Sequence, residues 1–248
     1  MTRVGPLIWF WSLTILPFTA ILTFISTLII CIHVPNNAPA DEKFPQISQL
    51  GTGQAYYYFL SGFILLAPQL LIILFGRVQL LFQTQYIIHR AIICIVHVLA
   101  LFSCVFMLIM AAVSIDTIPS IHLTGAFGMF GLISLFCLLH TIIIVYLYLR
   151  RSDAPQHSNI IWPIWFLICS LLLIAFFVYW LITAQGIPEY IAAATPFLYF
   201  LGFVPQFFYA SKNKKTRYSF TYCYEILKSS GYINDVVRFF YEIIFFYM

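Results

Sequence analysis

Six long apolar stretches alternate with short polar ones along the chain. They run over about Pro6–Ile32, Tyr56–Phe75, Ala91–Ser114, His122–Tyr148, Ile160–Thr183 and Tyr190–Ala210. Each reaches the ~20 residues needed to cross ~30 Å of hydrocarbon. Each is apolar around its whole circumference, which marks a membrane span rather than an amphipathic helix. Pro17 and Pro68 lie inside the first and second. The pattern predicts an all-α protein, a polytopic transmembrane bundle of six helices forming one domain over residues 1–217. Residues 218–248 are aromatic-rich but interrupted at Ser229–Gly231 and by Asp235, Arg238 and Glu242. They are expected to form a cytosolic or interfacial tail.

Between the first two spans runs the longest polar loop, residues 33–55. Phe44-Pro45, Ile47 and Leu50 place apolar groups in it, and Gly51 and Gly53 permit turns that fold it back. Two readings stand: a loop that packs on the helix ends and carries function, or a turn that only buries two side chains.

Composition agrees with the pattern. Of 248 residues, 62% are hydrophobic, 19% aromatic and 8% charged, against about 25% charge in a soluble domain. Arg3, Arg77, Arg90, Arg150, Arg151, Lys212, Lys214, Lys215 and Arg217 fall on one side of a six-span model and only Lys43 on the other. The positive-inside rule then places both termini in the cytosol and the loops around Phe44, Asp116–His122 and Gln185–Glu189 in the lumen or outside. The net charge of +4 sits at helix ends and implies no nucleic-acid partner. Five of the six cysteines lie within spans, so no disulfide framework is expected. The first apolar segment is too long for a signal peptide and reads as an uncleaved span. Tyr and Trp near span ends, Trp162, Tyr179 and Trp180 among them, read as an interfacial belt.

Candidate chemistry is sparse. No Asp, Glu, Lys or Arg falls deep in a span on this reading, which disfavours a proton-coupled transporter or pump. Cys94-x-x-His97 and Cys137-x-x-His140 have zinc-ligand character. However, Cys94 lies ~5 Å and Cys137 roughly 18 Å from the same membrane face at 1.5 Å per residue. No metal is therefore assigned, and the histidines are expected to hydrogen-bond neighbouring helices. Gly125, Gly128 and Gly131 form a small-residue patch suited to close helix packing. Ser48, His122 and Asp116 share one membrane face, but Ser48 has no nucleophile-elbow context. His122 reads better as a cap or a lipid head-group contact. No catalytic motif is recognisable and no cofactor is expected.

The six spans, the run Phe44-Pro45-Gln46-Ile47-Ser48-Gln49-Leu50-Gly51 and the Ile121-His122 opening of span four resemble the Frag/DRAM/Sfk superfamily over about residues 7–215. Leu16-Pro17-Phe18, Ala67-Pro68 and Ile121-His122 followed by Ala126-Phe127 are most similar to its post-GPI-attachment-to-proteins factor 2 branch. That branch carries Arg after the span-two proline, where this chain has Gln69. His122-Leu-Thr-Gly-Ala126 fits the DRAM autophagy modulators equally well. The resemblance implies a Golgi or ER protein acting in fatty-acid remodelling of GPI anchors, with membrane lipids and GPI-anchored proteins as partners. A DRAM-like membrane scaffold or autophagy regulator is the alternative, and a small-solute transporter a more distant one. A GPI lipid carries its glycan on the luminal side and its chains in the adjoining leaflet. Substrate contact is therefore expected at Phe44, Pro45, Ser48, Gly51 and His122, with Pro68 opening an apolar groove below.

Overall fold

The computed structural model describes residues 5–38, 44–82, 87–153 and 158–212. The tail 218–248 and, of the basic residues counted above, Arg3, Lys43, Lys214, Lys215 and Arg217 lie outside the described residues. Among the described residues there is no strand. The helices are α1 (Gly5–His33), α2 (Ile47–Leu50), α3 (Tyr56–Leu81), α4 (Arg90–Ala112), α5 (Pro119–Leu149), α6 (Ile161–Thr183), α7 (Gly186–Leu201) and α8 (Val204–Lys212), with a 3₁₀ turn at Gly53–Ala55. Six segments are long and apolar enough to span a membrane, the sixth being α7 and α8 together. The protein is a multi-pass integral membrane protein. Its outward faces carry the large apolar side chains that a soluble protein would bury, such as Ile15, Leu22 and Ile29 on α1 and Ile95, Phe102 and Ile109 on α4.

The helices hold their polar side chains against their own backbones, as lipid requires. On α1 the hydroxyls of Ser12, Thr14, Thr23 and Thr27 each donate to the carbonyl four residues back, at 2.8–2.9 Å. Pro119 begins α5, where its missing N–H has no helical partner to lose. Pro68 removes the N–H that the Ile64 carbonyl would accept inside α3, and the side chain that follows it, Gln69, bonds both its own helix and the neighbouring one. Its Nε2 donates to the Leu65 carbonyl at 2.9 Å and to Thr23 Oγ1 at 3.0 Å, and its Oε1 accepts from Thr19 Oγ1 at 3.0 Å. Gln69 thus ties α3 to α1.

The six spans form a closed ring in chain order. α1 packs on α3, α3 on α4, α4 on α5, α5 on α6, α6 on α7, and α8 closes the ring on α1. The sixth span is broken at Gly202–Phe203. Pro205 cannot donate to the carbonyl four residues back, and Gly202 lies so close to Phe166 that a Cβ would come within 2.6 Å of its ring. Below the break α8 packs firmly on α1, with Trp11 edge-on to Phe208 at 5.5 Å. Above it α7 packs on α6 and touches α1 and α5 sparsely. The ring is therefore closed at the end bearing α8 and looser at the end bearing the loops.

Span two extends six residues past the expected Phe75, to Leu81. Val78, Leu80 and Leu81 continue the apolar run, so Arg77 lies within the helix rather than at its aqueous end. Trp180, expected in the interfacial belt, turns inward onto Phe130 at 5.5 Å between ring centroids.

Candidate functional site

The polar loop folds back over the open end of the ring. Asn37 donates through its backbone to Thr52 Oγ1 at 2.9 Å and through Nδ2 to Asp116 Oδ2 at 2.7 Å. Tyr56 Oη donates to the Ala112 carbonyl at 2.6 Å. The Gln46 backbone N–H donates to Gln49 Oε1 at 2.7 Å, closing the first turn of α2, and Gln46 Nε2 donates to the Ala184 carbonyl. That carbonyl belongs to the tight α6–α7 corner, where Ala184 takes the left-handed conformation, φ 50°. Gly186 follows, and a Cβ there would stand 2.2 Å from the Phe44 carbonyl oxygen. Only a glycine lets the loop lie this close to α7.

This approach sets Glu189 beneath α2. Its side chain is 3% exposed, and Oε2 accepts the Ile47 N–H at 3.0 Å. The interaction satisfies a backbone donor at the start of α2 that the helix cannot. Glu189 and Ile47 together head a central cavity. Phe63, Leu66, Leu70 and Leu74 of α3, Cys104, Met107 and Met110 of α4, Phe130 and Ile133 of α5 and Phe197 and Phe200 of α7 form its walls, with Phe24 of α1. From Glu189 to Phe200 the wall runs eleven residues, about 16 Å along the helix, close to one leaflet of a ~30 Å hydrocarbon core. Two polar side chains line it, Glu189 and Ser103. Ser103 Oγ is occupied, donating to the Met129 carbonyl at 2.8 Å. Glu189 is the ionisable group of the wall.

Below the cavity the ring is plugged. Arg77, 0% exposed, donates from Nε to His140 Nε2 at 2.9 Å and from Nη1 to Gln206 Oε1, and its guanidinium lies 4.8 Å from the Phe203 ring centre. Because His140 Nε2 accepts, Nδ1 carries the proton of the neutral ring and donates to Tyr199 Oη at 2.6 Å. Tyr199 Oη then donates to the Cys137 carbonyl at 3.0 Å. Thr141 bridges Tyr199 and Ser170, at 3.1 and 2.8 Å. Phe136, Phe166 and Phe203 pack around His140 at 5.3–5.5 Å between centroids. This polar chain links α3, α5, α6, α7 and α8.

The residues expected at the site lie on its rim or in its supports. Phe44 is 52% exposed and Pro45 half-buried at the loop end. Ser48 is buried, with Oγ 3.5 Å from Gln46 Oε1. Gly51 lies against Phe59, whose ring a Cβ would meet at 2.6 Å. His122 is buried and its Nδ1–H donates to the Val113 carbonyl at 2.7 Å, tying the start of α5 to the end of α4. Pro68 is exposed on the outer face of α3, while its neighbours Leu66 and Leu70 face the cavity. Among the described residues no hydrogen bond joins Ser48, His122 and Asp116. His97 and His140 do meet, with ring centroids 5.9 Å apart, but Cys94 is exposed. Among the described residues no three His, Cys, Asp or Glu side chains gather to hold a metal.

Sequence reasoning misses Glu189 and Arg77, because both stand at the ends of apolar stretches and read as residues of aqueous loops. For Arg77 a signal exists in the apolar run that continues to Phe82. For Glu189 the sequence holds only a lone acid just ahead of an apolar stretch, and its burial depends on the loop that covers it.

Residues 7–210 match the family model described as the Frag1/DRAM/Sfk1/Cwh43P N-terminal domain. No curated protein and no solved structure matches the chain.

Proposed function

We propose that this chain, which belongs to the Frag1/DRAM/Sfk1/Cwh43 N-terminal domain family, holds the acyl chain of a membrane lipid in its central cavity and serves fatty-acid remodelling of GPI anchors at the ER or Golgi membrane. The observation that carries the reading is the cavity itself: apolar along its walls, one leaflet deep, and headed by a single carboxylate. Ligand sites are typically concave and mostly apolar, with a few placed polar groups. A solute pathway would instead need polar groups along its length. The described basic residues Arg90, Arg150, Arg151 and Lys212 sit at the end opposite the loop, which supports a luminal loop end. The cavity then lies on the side where a GPI lipid carries its glycan.

The test is to fill the cavity. Ala193 of α7 lines it, and Ala193→Phe places a ring inside without removing a hydrogen bond. The expected result is a variant of normal abundance that loses co-purifying lipid and shifts the acyl composition of GPI-anchored proteins to the gene-deletion pattern. Unchanged anchors with the cavity filled would refute the reading. Unchanged anchors with altered autophagic flux would point to the DRAM-like scaffold instead.

A further inference from the structure

We infer that the cavity, read as above as an acyl-chain site, selects a single-chain lipid alcohol, whose hydroxyl donates to Glu189. The inference rests on that reading and adds the head group. The Glu189 carboxylate stands in the cavity wall, accepts the Ile47 N–H at Oε2, and also interacts with the Ser48 N–H. A carboxylate offers about four acceptor sites, so two backbone donors leave capacity for a ligand. Ser103, the other polar side chain of the wall, already spends its hydroxyl proton on Met129. The head of a bound chain therefore meets one acceptor group at the loop end and apolar surface elsewhere.

That arrangement sorts head groups. A hydroxyl brings one donor and satisfies it on Glu189. A carboxylate head would set two negative charges side by side, and none of the described residues lining the cavity is basic. An ether or ester head is neutral but has no proton to give, and it would bury its oxygen against an acceptor. The predicted order is alcohol, then ether, then acid. A hydrogen bond to a charged group separates the first two by about tenfold, and like-charge contact separates the last two by about tenfold or more.

The experiment uses the full chain purified in detergent, at about pH 9 so that Glu189 is the carboxylate. Native mass spectrometry measures retention of a long-chain alcohol, its methyl ether and the carboxylate of the same length. Support is the order above, together with Glu189→Gln bringing acid binding to within about threefold of ether. Gln keeps an oxygen for the Ile47 N–H, so α2 retains its contact. Equal retention of alcohol and ether by the wild type overturns this inference and leaves the acyl-chain reading standing. Retention of none of the three probes overturns that reading itself. If Glu189→Gln does not give a monodisperse peak, the wild-type order alone decides.

Discussion

Among the described residues, each half of the helix ring buries one side chain of the Asp, Glu, Lys and Arg set, and the two halves treat it in opposite ways. In the half beneath the loop, Glu189 meets the backbone N–H groups of Ile47 and Ser48 and faces open space walled by Met107, Met110, Phe63 and Phe197. In the other half, Arg77 gives Nε to His140 and Nη1 to Gln206 and lies over Phe203. Only its Nη2 finds no partner among the described residues. Intramembrane ionisable residues are functional candidates by default. The contrast separates two cases. Arg77 is enclosed by aromatic rings and joins five helices into a plug. Glu189 stands in the wall of a cavity with acceptor capacity left over. The break at Gly202–Phe203 produces the difference, because it lets α8 close on α1 while α7 touches α1 only sparsely.

If this division of labour holds, a change in the plug should cost stability and spare the cavity. His140→Ala should have the largest effect. It removes a ring packed on Phe136, Phe166 and Phe203 and strips Arg77 Nε and Tyr199 Oη of a partner. The expected loss is about 3–5 kcal/mol, as for other large-to-small core changes, read as a fall in thermal stability and abundance. Lipid retained per folded molecule should not change. A loss of lipid at normal stability would break the comparison.

A smaller, mixed effect is expected at the wall between the cavity and its support. A Cβ at Gly125 would stand 2.8 Å from the backbone nitrogen of Met110, which lines the cavity. Gly125→Ala must push α4 and α5 apart, at about 1–3 kcal/mol, and should lower both stability and lipid occupancy. Gly131→Ala is the matched control, with nothing within 4 Å of its Cβ. Thermal unfolding of the two variants side by side sharpens the point, and equal destabilisation would refute the close approach. The smallest effect is expected at the rim. Phe44 is half exposed, and its carbonyl rather than its ring lies against Gly186. Phe44→Ala should move stability by less than about 0.5 kcal/mol and leave lipid retention intact. A large drop in retention would extend the site to the loop surface.

Spacing alone assigns the three glycines of the span-four patch one shared role, and the structure separates them. Gly125 meets backbone, Gly128 meets the Phe106 ring, and Gly131 meets nothing. A three-residue spacing turns steadily around a helix, so successive glycines face different neighbours. His122 was legible as a loop-end residue. That it serves α4 through the Val113 carbonyl depends on how two helices meet, which spacing does not encode. Of the candidate site, the loop was legible through Phe44-Pro45, Ile47 and Leu50, and it does cover the bundle. Ile47 rather than Phe44 reaches the cavity.

What the chain determined by itself was the existence, order and approximate ends of six membrane spans, and hence an all-α integral membrane protein. Apolarity sustained around a helix for ~20 residues is a local property, and the bilayer selects for it whatever the neighbours are. What only the tertiary structure decided was which ionisable groups are buried and where space remains. Glu189 meets Ile47 across 142 residues of chain, and Arg77 meets His140 across 63. Spans that are apolar on every face carry no stripe to show which side turns inward. Ring closure and the helix break settled that, and with it the position of the cavity and of the carboxylate at its head.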